Sequence, residues 1–272
     1  MSFQNKTAFI TGASRGIGKA IALKLAAEGA NIVVASKSIE ENPNLGGTIY
    51  SAAEEIEQAG GKALAVQCDI RDDVQIQNAV NKAVERFGGI DILINNASAI
   101  SLTNTEQTEP KRFDLMHDIN VRGTFFVCKA CIPLLKKGSN PHILTLSPPI
   151  HPDIKWLKNH IAYTISKYNM TMITLGLADE LKKHGIAANS LWPKTTIATA
   201  AVQNLLGGDA LIKMSRKPAI IADAAYYILS KSSADCTGNA FIDEAVLAAE
   251  GINDLSEYAV VPGAKLYQDL FI

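Results

Sequence analysis

The stretch TAFITGASRGIGKAIALKL, residues 7–25, joins a short apolar run to a longer amphipathic run through a turn that contains three glycines. A glycine carries no Cβ, so Gly12, Gly16 and Gly18 permit a tight turn and a close approach of the backbone to a ligand. The free N–H groups at the start of a helix also attract anions. The segment therefore predicts a strand, a phosphate-binding turn and a helix. A tight turn without a ligand is the alternative interpretation.

The same alternation of short apolar and longer amphipathic runs continues along most of the chain, which is typical of a parallel sheet with crossover helices. No internal repeat or break in composition divides the sequence. We therefore expect an α/β single-domain Rossmann fold over residues 1–272, a doubly wound parallel sheet of about seven strands flanked by helices. The predicted strands are residues 7–11, 31–35, 63–68, 90–95, 142–147, 186–191 and 240–243. The predicted helices are residues 16–28, 49–59, 73–87, 111–136, 161–183 and 220–229.

Three segments do not follow this alternation. Residues 38–47 are polar and contain Pro43, which indicates a loop, and residues 195–216 form a long connection that is a candidate substrate lid. A plain surface excursion is the alternative for the second segment. The tail from Val246 onward has no pattern from which to predict its position.

Composition limits the classes of function. The 272 residues carry a net charge of −1, with a pI of about 6.5, and show no basic cluster of the kind that binds nucleic acid or anionic lipid. No apolar run is long enough to span a bilayer, and the first residues show no leader pattern, so we expect an intracellular, cytoplasmic protein. Cys128 and Cys131 lie within a helical pattern and are predicted to be buried thiols. The five histidines show no metal-binding spacing, so we expect no metal site.

The end of the second predicted strand indicates which nicotinamide cofactor is preferred. In dinucleotide-binding folds, an acidic residue about 20 residues beyond the glycines binds a ribose 2′-hydroxyl and repels a 2′-phosphate. This chain has Ser36 and Lys37 there, so these residues and Arg15 are candidates to bind the phosphate. We therefore expect NADP(H) to be preferred, with NAD(H) possible. Glu40 and Glu41 nearby leave open the alternative that Lys37 is simply solvated.

Tyr163 and Lys167 lie four residues apart in a predicted helix, which puts a phenol and an ammonium on one face. A nearby positive charge favours the phenolate and lowers the phenol pKa, so the pair has the properties of an acid/base catalyst. The same spacing in isolation usually reflects a packed aromatic ring and a solvated charge.

The turn at residues 11–18, Asp69, residues 95–97, Ser147 and the pair Tyr163 and Lys167 together resemble the short-chain dehydrogenase/reductase family in both order and spacing. The resemblance implies that Tyr163 is the general acid/base, that Lys167 lowers its pKa and holds the nicotinamide ribose, that Ser147 binds the substrate oxygen, and that Asn120 relays protons. The cofactor contacts that it implies are Gly12, Ser14, Arg15, Gly16, Ile17, Gly18, Ser36, Lys37, Asp69, Ile70, Asn96, Ala97, Tyr163, Lys167 and Pro193.

The chain also departs from the usual family pattern. Ser98 and Lys194 stand where glycine is usual, and Pro148 and Pro149 follow the expected catalytic serine, where they withdraw two backbone donors. These departures are similar to the hydroxysteroid dehydrogenase-like subgroup. Larger members of that subgroup carry a C-terminal sterol-carrier module and a peroxisomal signal. We expect this chain to lack both, since its sequence finishes with residues 269–272, DLFI.

The sequence thus predicts an NADP(H)-dependent oxidoreductase that transfers a hydride between the nicotinamide and a secondary alcohol or ketone. Ile150, Trp156, Leu157, Trp192 and the start of the candidate lid favour a hydrophobic substrate. The alternatives are a catalytically silent NADP(H)-binding sensor or scaffold, which the two prolines favour, and a dehydratase or epimerase that uses the same Tyr and Lys. The resemblance also implies a homodimer or homotetramer, joined through the helices predicted at residues 111–136 and 161–183.

Overall fold

Seven parallel strands form one sheet in the computed structural model, which describes residues 3–151 and 153–272. The strands are β1 (Thr7–Thr11), β2 (Asn31–Ser36), β3 (Lys62–Gln67), β4 (Ile92–Asn95), β5 (His142–Leu146), β6 (Ala187–Trp192) and β7 (Ala240–Ile242). Their order across the sheet is β3-β2-β1-β4-β5-β6-β7. The predicted doubly wound α/β fold is confirmed, with each strand within two residues of its expected bounds.

Helices cover both faces of this sheet. They are α1 (Gly16–Ala27), α2 (Ile49–Gln58), α3 (Asp73–Phe87), α4 (Pro110–Met116), α5 (Thr124–Leu135), α6 (Ile161–Glu180), α7 (Gly208–Lys213), α8 (Ala219–Ser230) and α9 (Asp243–Ala249). Side chains of β1 show how the layers form, because Ala8 and Ile10 pack towards α1 and α8 while Phe9 packs towards α3 and α5. A strand buried on both faces in this way reads as a largely apolar run, as Ala8, Phe9 and Ile10 do.

The chain direction across the sheet reverses between β1 and β4. From β1 the chain proceeds outward to β2 and β3, then returns to add β4 on the other side of β1. Crossover connections therefore leave in opposite directions from the carboxyl ends of these two strands, which opens a crevice there. The glycine turn after β1 and residues 95–97 after β4 both lie at this crevice.

The long helix predicted at residues 111–136 is interrupted. A π-helical segment, His117–Gly123, separates α4 from α5, and Asn120 lies in it, fully buried. A π-helical turn contains an extra residue per turn and is frequent at functional sites. The other long helix, predicted at residues 161–183, ends three residues earlier than expected, at Glu180. A separate 3₁₀ turn, Lys182–His184, follows this helix.

Two of the three segments that lack a regular sequence pattern contain more structure than expected. The candidate lid, residues 195–216, includes a π-helical turn, Val202–Leu206, and α7. The tail beyond Val246 folds back over the carboxyl end of the sheet, where isolated bridges join Thr195 to Gln268 and Arg216 to Ala259. These contacts connect residues far apart in sequence, and no local periodicity signals them.

All four cysteines are free and buried, as predicted for Cys128 and Cys131. Within residues 3–151 and 153–272, no helix is long and apolar enough to cross a membrane. The same ranges contain no group of three or more His, Cys, Asp or Glu side chains that is arranged to hold a metal ion.

Candidate active site

The glycine turn after β1 packs so closely against the loop after β4 that side chains are excluded. Gly12 has a φ of +65°, and a Cβ there would lie 2.9 Å from Ala97 Cα. A Cβ on Gly18 would lie 2.5 Å from Asn96 Nδ2, which itself donates to Thr11 O and Gly12 O at 3.0 Å each. These contacts fix the shape of the turn and leave the N–H groups at the start of α1 facing the crevice.

A cavity of about 570 Å³ occupies this crevice. It runs from the glycine turn to the helix that carries Tyr163. The predicted cofactor contacts that line it are Gly12, Ser14, Arg15, Gly16, Ile17, Ser36, Lys37, Asp69, Ile70, Asn96, Ala97, Tyr163, Lys167 and Pro193. Gly18 lies behind the turn and acts by allowing it to close. An elongated cavity that joins an anion-attracting turn to an acid/base pair fits a dinucleotide.

The end of the cavity nearest β2 is polar. Ser14 Oγ and Ser36 Oγ lie 3.2 Å apart, and the Lys37 side chain is exposed. Arg15, expected to face a phosphate, donates from Nε to Gly46 O at 2.6 Å and from Nη2 to Gly47 O at 2.8 Å. Arg15 therefore also holds the 38–47 loop beside the cavity.

Asp69 lies on the same side of the cavity, and its carboxylate pairs with Arg71 at 2.5 Å. The hydrogen bonds from Arg71 hold the pKa of the Asp69 carboxyl below its usual range. Asp69 is therefore a fixed, ionised acceptor at the edge of the cavity.

Tyr163 and Lys167 lie one turn apart on α6, and both side chains are almost completely buried. Lys167 Nζ donates to Leu146 O at 2.7 Å, lies 3.5 Å from Ser98 Oγ, and sits over the Trp192 ring at 5.0 Å from its centroid. Burial raises the pKa of Tyr163 and lowers that of Lys167, because it disfavours the charged form of each. The sequence predicted a lowered Tyr163 pKa from the lysine charge alone, and burial in the structure has the larger effect.

Ser147 and Asn120 lie beneath the cavity and are fully buried, and neither is among the residues that line it. Thr171 Oγ1 lies 2.8 Å from Ser147 Oγ and 2.6 Å from Pro148 O. The Thr171 hydroxyl thus holds the serine and the first of the two prolines together. This contact could not be predicted from the sequence, because Thr171 is one of many small polar residues on α6.

Asn120 connects the loop after β4 to α6. Its Oδ1 accepts from Ala99 N at 2.8 Å and from Ser98 Oγ at 3.1 Å, and its Nδ2 donates to Ala99 O and Ser166 Oγ at 2.9 Å each. Ser98, which stands where glycine is usual in the resembled family, thereby lies between the Asn120 amide and the Lys167 ammonium. A glycine at position 98 would have no hydroxyl to place between these two groups.

The C-terminal segment supplies residues that the sequence analysis missed. Phe271 is fully buried, and its ring centroid lies 6.1 Å from that of Tyr163 and 5.8 Å from that of Trp192. Asp269 and Leu270 line the same cavity as Tyr163. Asp269, an acidic residue in a largely apolar terminal stretch, was the available sequence signal. Its residue type alone does not indicate where in the fold the segment lies.

Much of the cavity wall is apolar. Its apolar lining residues include Ile100, Leu102, Trp192, Leu206, Leu211 and Leu270. Of the four apolar residues predicted to lie near the substrate, Trp192 lines the cavity. Ile150 and Leu157 are not among the lining residues, and the Trp156 ring packs on the Phe271 ring instead. The reason is that the C-terminal segment, and not the loop after Pro149, covers this end.

Comparison with known proteins agrees with this geometry. A family model described as "short chain dehydrogenase" matches residues 6–208. The chain is similar to hydroxysteroid dehydrogenase-like protein 2 of Xenopus laevis, with 60% identity over 266 residues, or 98% of this chain and 63% of the relative. It therefore spans less than two thirds of the curated relative's length.

Solved structures share the complete fold. A crystal structure from Xanthomonas campestris is 51% identical with a TM-score of 0.97, over 100% of this chain and 99% of that one. A short chain dehydrogenase from Mycobacterium thermoresistibile is 56% identical with a TM-score of 0.94, over 100% and 96%. A more distant short chain dehydrogenase from Mycobacterium paratuberculosis, 25% identical with a TM-score of 0.74 over 89% and 97%, is bound to NAD. A metagenomic short-chain oxidoreductase in complex with NADP, 24% identical with a TM-score of 0.72 over 89% and 98%, shares the fold.

Proposed function

This chain belongs to the short-chain dehydrogenase/reductase family of oxidoreductases, and on that premise we propose that it transfers a hydride between NADP(H) and a hydrophobic secondary alcohol or ketone. The observation that carries the proposal is the position of Tyr163 and Lys167 on one face of α6, in the cavity that begins at the glycine turn. A phosphate-binding turn and an acid/base pair in a single cavity suit a reaction that needs a dinucleotide and one proton.

The proton is the part of the reaction that the chain itself supplies. In reduction, Tyr163 donates its phenolic proton to the carbonyl oxygen, and in oxidation it removes the proton from the hydroxyl. Lys167 stabilises the phenolate that results and binds the nicotinamide ribose. Ser147 donates to the same substrate oxygen, because Thr171 Oγ1 donates to Ser147 Oγ and so leaves the serine proton free. The bound NADP(H) supplies or accepts the hydride.

The preference for NADP(H) rests on the charge at the end of β2. Ser36 and the exposed Lys37 line the cavity, and the acidic side chain that repels a 2′-phosphate is absent from residues 34–37. Arg15 contributes positive charge from the opposite side while it holds the 38–47 loop. NAD(H) remains the alternative cofactor, to be compared directly in binding measurements.

Residues 195–216 are proposed as the substrate lid. A Cβ on Gly16 would lie 3.4 Å from Thr199 Cγ2, so this segment passes over the glycine turn. Asn204 Nδ2 donates to Asn44 O at 2.6 Å, which joins the segment to the 38–47 loop across the cavity. Leu206 and Leu211 present apolar surface to the cavity, which favours a hydrophobic substrate.

Self-association through α4, α5 and α6 is part of the proposal, with a homodimer or homotetramer expected. The large apolar side chains exposed on these helices are Phe113, Phe125, Ile161, Met172 and Leu175. Exposed apolar side chains grouped on neighbouring helices are typical of an interface. A monomer by light scattering at micromolar concentration would contradict this part. A cytoplasmic location is proposed with it, because the four thiols are free.

The decisive experiment is an NADPH-consumption screen across steroid, acyl and small ketones, with Tyr163→Phe as the matched control. We expect wild-type turnover on apolar ketones and a loss of about a hundredfold or more in the variant, the usual range for a general acid. Tight NADPH binding without turnover of any substrate would instead support a nucleotide-binding sensor. Retained turnover in Tyr163→Phe would refute the assignment of the acid.

A further inference from the structure

The segment from Tyr267 to Phe271 is attached to the carboxyl end of β6 at several points. Tyr267 O accepts from Thr196 N at 3.0 Å, and Asp269 N donates to Lys194 O at 3.1 Å. Leu270 O accepts from Trp192 Nε1 at 2.9 Å. Backbone and side-chain hydrogen bonds therefore fix the position of Asp269 from both sides.

This attachment places the Asp269 carboxyl in the cavity that also contains Tyr163 and Lys167. One oxygen, Oδ1, accepts from Leu270 N at 2.7 Å. Phe271, the next residue but one, is fully buried against Tyr163 and Trp192, which keeps water away from this side of the site. Asp269 is only partly exposed, and a partly desolvated acidic group interacts more strongly with nearby charges than one in water does.

The charged and titratable groups around Asp269 come from α6, from α9 and from the segments beside them. Lys167 and Tyr163 belong to α6, His160 beside Tyr163 is the residue before α6, and Asp243 is the first residue of α9. Asp243 Oδ1 accepts from Lys194 N and Glu244 N at 2.8 Å each, and Arg216 is paired with Glu244. Among the described residues whose charges act on Asp269, Lys167 is the positive one.

We propose that Asp269 is a positioning residue of the acid/base site, whose carboxylate balances the buried Lys167 ammonium and keeps that lysine protonated beside Tyr163. The inference rests on the proposed function only in that Tyr163 is taken to be the general acid/base. Its physical basis is that a buried ammonium without a counter-charge tends to lose its proton, whereas an opposite charge in the same enclosed space favours the charged form.

The direction of the pKa shifts agrees with this arrangement. Burial raises the pKa of Asp269 and lowers that of Lys167, and the attraction between the two charged forms opposes both effects. The Asp269 carboxylate also raises the pKa of Tyr163 by repelling the phenolate. Asp269 therefore acts in two ways, since it keeps Lys167 charged for catalysis and keeps Tyr163 protonated until the proton is transferred.

A double-mutant cycle tests the pairing without requiring turnover. The free energy of unfolding is measured by urea denaturation near neutral pH for wild type, Asp269→Asn, Lys167→Met and the double variant. Asp269→Asn should change the unfolding equilibrium constant both in the wild-type protein and in the Lys167→Met variant. We expect the change to be about tenfold larger in the wild-type protein, which still has the lysine. Asp235→Asn, which removes an exposed carboxylate, should be additive with Lys167→Met. Additive effects for Asp269→Asn as well would overturn the proposal.

A pH profile supplies a second readout that a merely structural role would not move. For ketone reduction by NADPH, Asp269→Asn should shift the alkaline limb of kcat towards acid by about one pH unit, because Lys167 then loses its proton more readily. Asp269→Glu retains the negative charge and should return the alkaline limb of kcat to its wild-type pH. A lower rate with an unmoved limb would contradict the inference. If wild type shows no turnover at all, the proposed function fails, while the unfolding cycle still decides the role of Asp269.

Discussion

Replacement of Phe271 by alanine should have two effects. It should lower the free energy of unfolding, and it should admit water to the candidate active site beside Tyr163. The ring is fully buried, and its centroid lies between 5.4 and 6.3 Å from those of Trp156, His160, Tyr163, Tyr168 and Trp192. Phe-to-Ala changes in cores cost about 3–5 kcal/mol. Leu270 already lines an open cavity, so water can fill part of the space left by the ring, and we expect a loss at the lower end, about 3 kcal/mol.

Urea denaturation of Phe271→Ala, compared with Tyr50→Ala on the exposed face of α2, measures this loss. The control removes a ring that is 59% exposed and should change the free energy of unfolding by no more than about 0.5 kcal/mol. Water at the site should also lower the pKa of Tyr163, since burial is the main cause of its elevation. Alcohol oxidation by the variant should therefore reach its plateau at lower pH. A stability loss no larger than that of Tyr50→Ala would refute the proposed packing role.

Three further predictions concern other parts of the molecule. Gly18→Ala should weaken NADPH binding about tenfold or more in a fluorescence titration, because its Cβ would lie 2.5 Å from Asn96 Nδ2, whereas Gly176→Ala, with nothing within 4 Å, should bind normally. Lys37→Ala should raise the Kd for NADPH about tenfold and leave that for NADH unchanged, and an equal change in both would contradict the phosphate contact. Burial lowers the pKa of His142 from 6.5 to about 4, so its contribution to stability is complete above pH 6.5 and is lost as the pH falls towards 4. Thermal unfolding of His142→Gln should lack that part of the pH dependence, and an unchanged profile would count against it.

The fold could be predicted from the sequence because its signals are local. The run from Thr7 to Thr11 is apolar at almost every position, and the glycines after it permit one kind of turn. Each strand and most helices have such a pattern of their own. The π-helical segment around Asn120 could not be predicted, since residues 111–136 have a continuous helical pattern, and the contact of Asn120 with Ser166 on α6 joins residues far apart in sequence.

The placement of the candidate site residues could be predicted where it depends on residue type and spacing. Tyr163 and Lys167 are one helical turn apart in any α-helix, and their presence in one cavity with the glycine turn follows from the strand order. Contacts between distant segments could not be predicted in this way. Thr171 reaches Ser147 across 24 positions, and Asp269 lines the same cavity as Lys167 although it belongs to a tail that has no period, so neither residue of either pair has a sequence pattern that identifies the other.

The position of Phe271 has a consequence for the order of assembly during synthesis. The glycine turn and the loop after β4 are made from the first 97 residues, and they can pack as soon as β1 and β4 pair. The ring that encloses Tyr163 belongs to Phe271, which follows Ala97 by 174 residues. During synthesis, the residues of the glycine turn therefore emerge long before the ring that covers Tyr163. Tyr163 can be enclosed only after the C-terminal segment has been made.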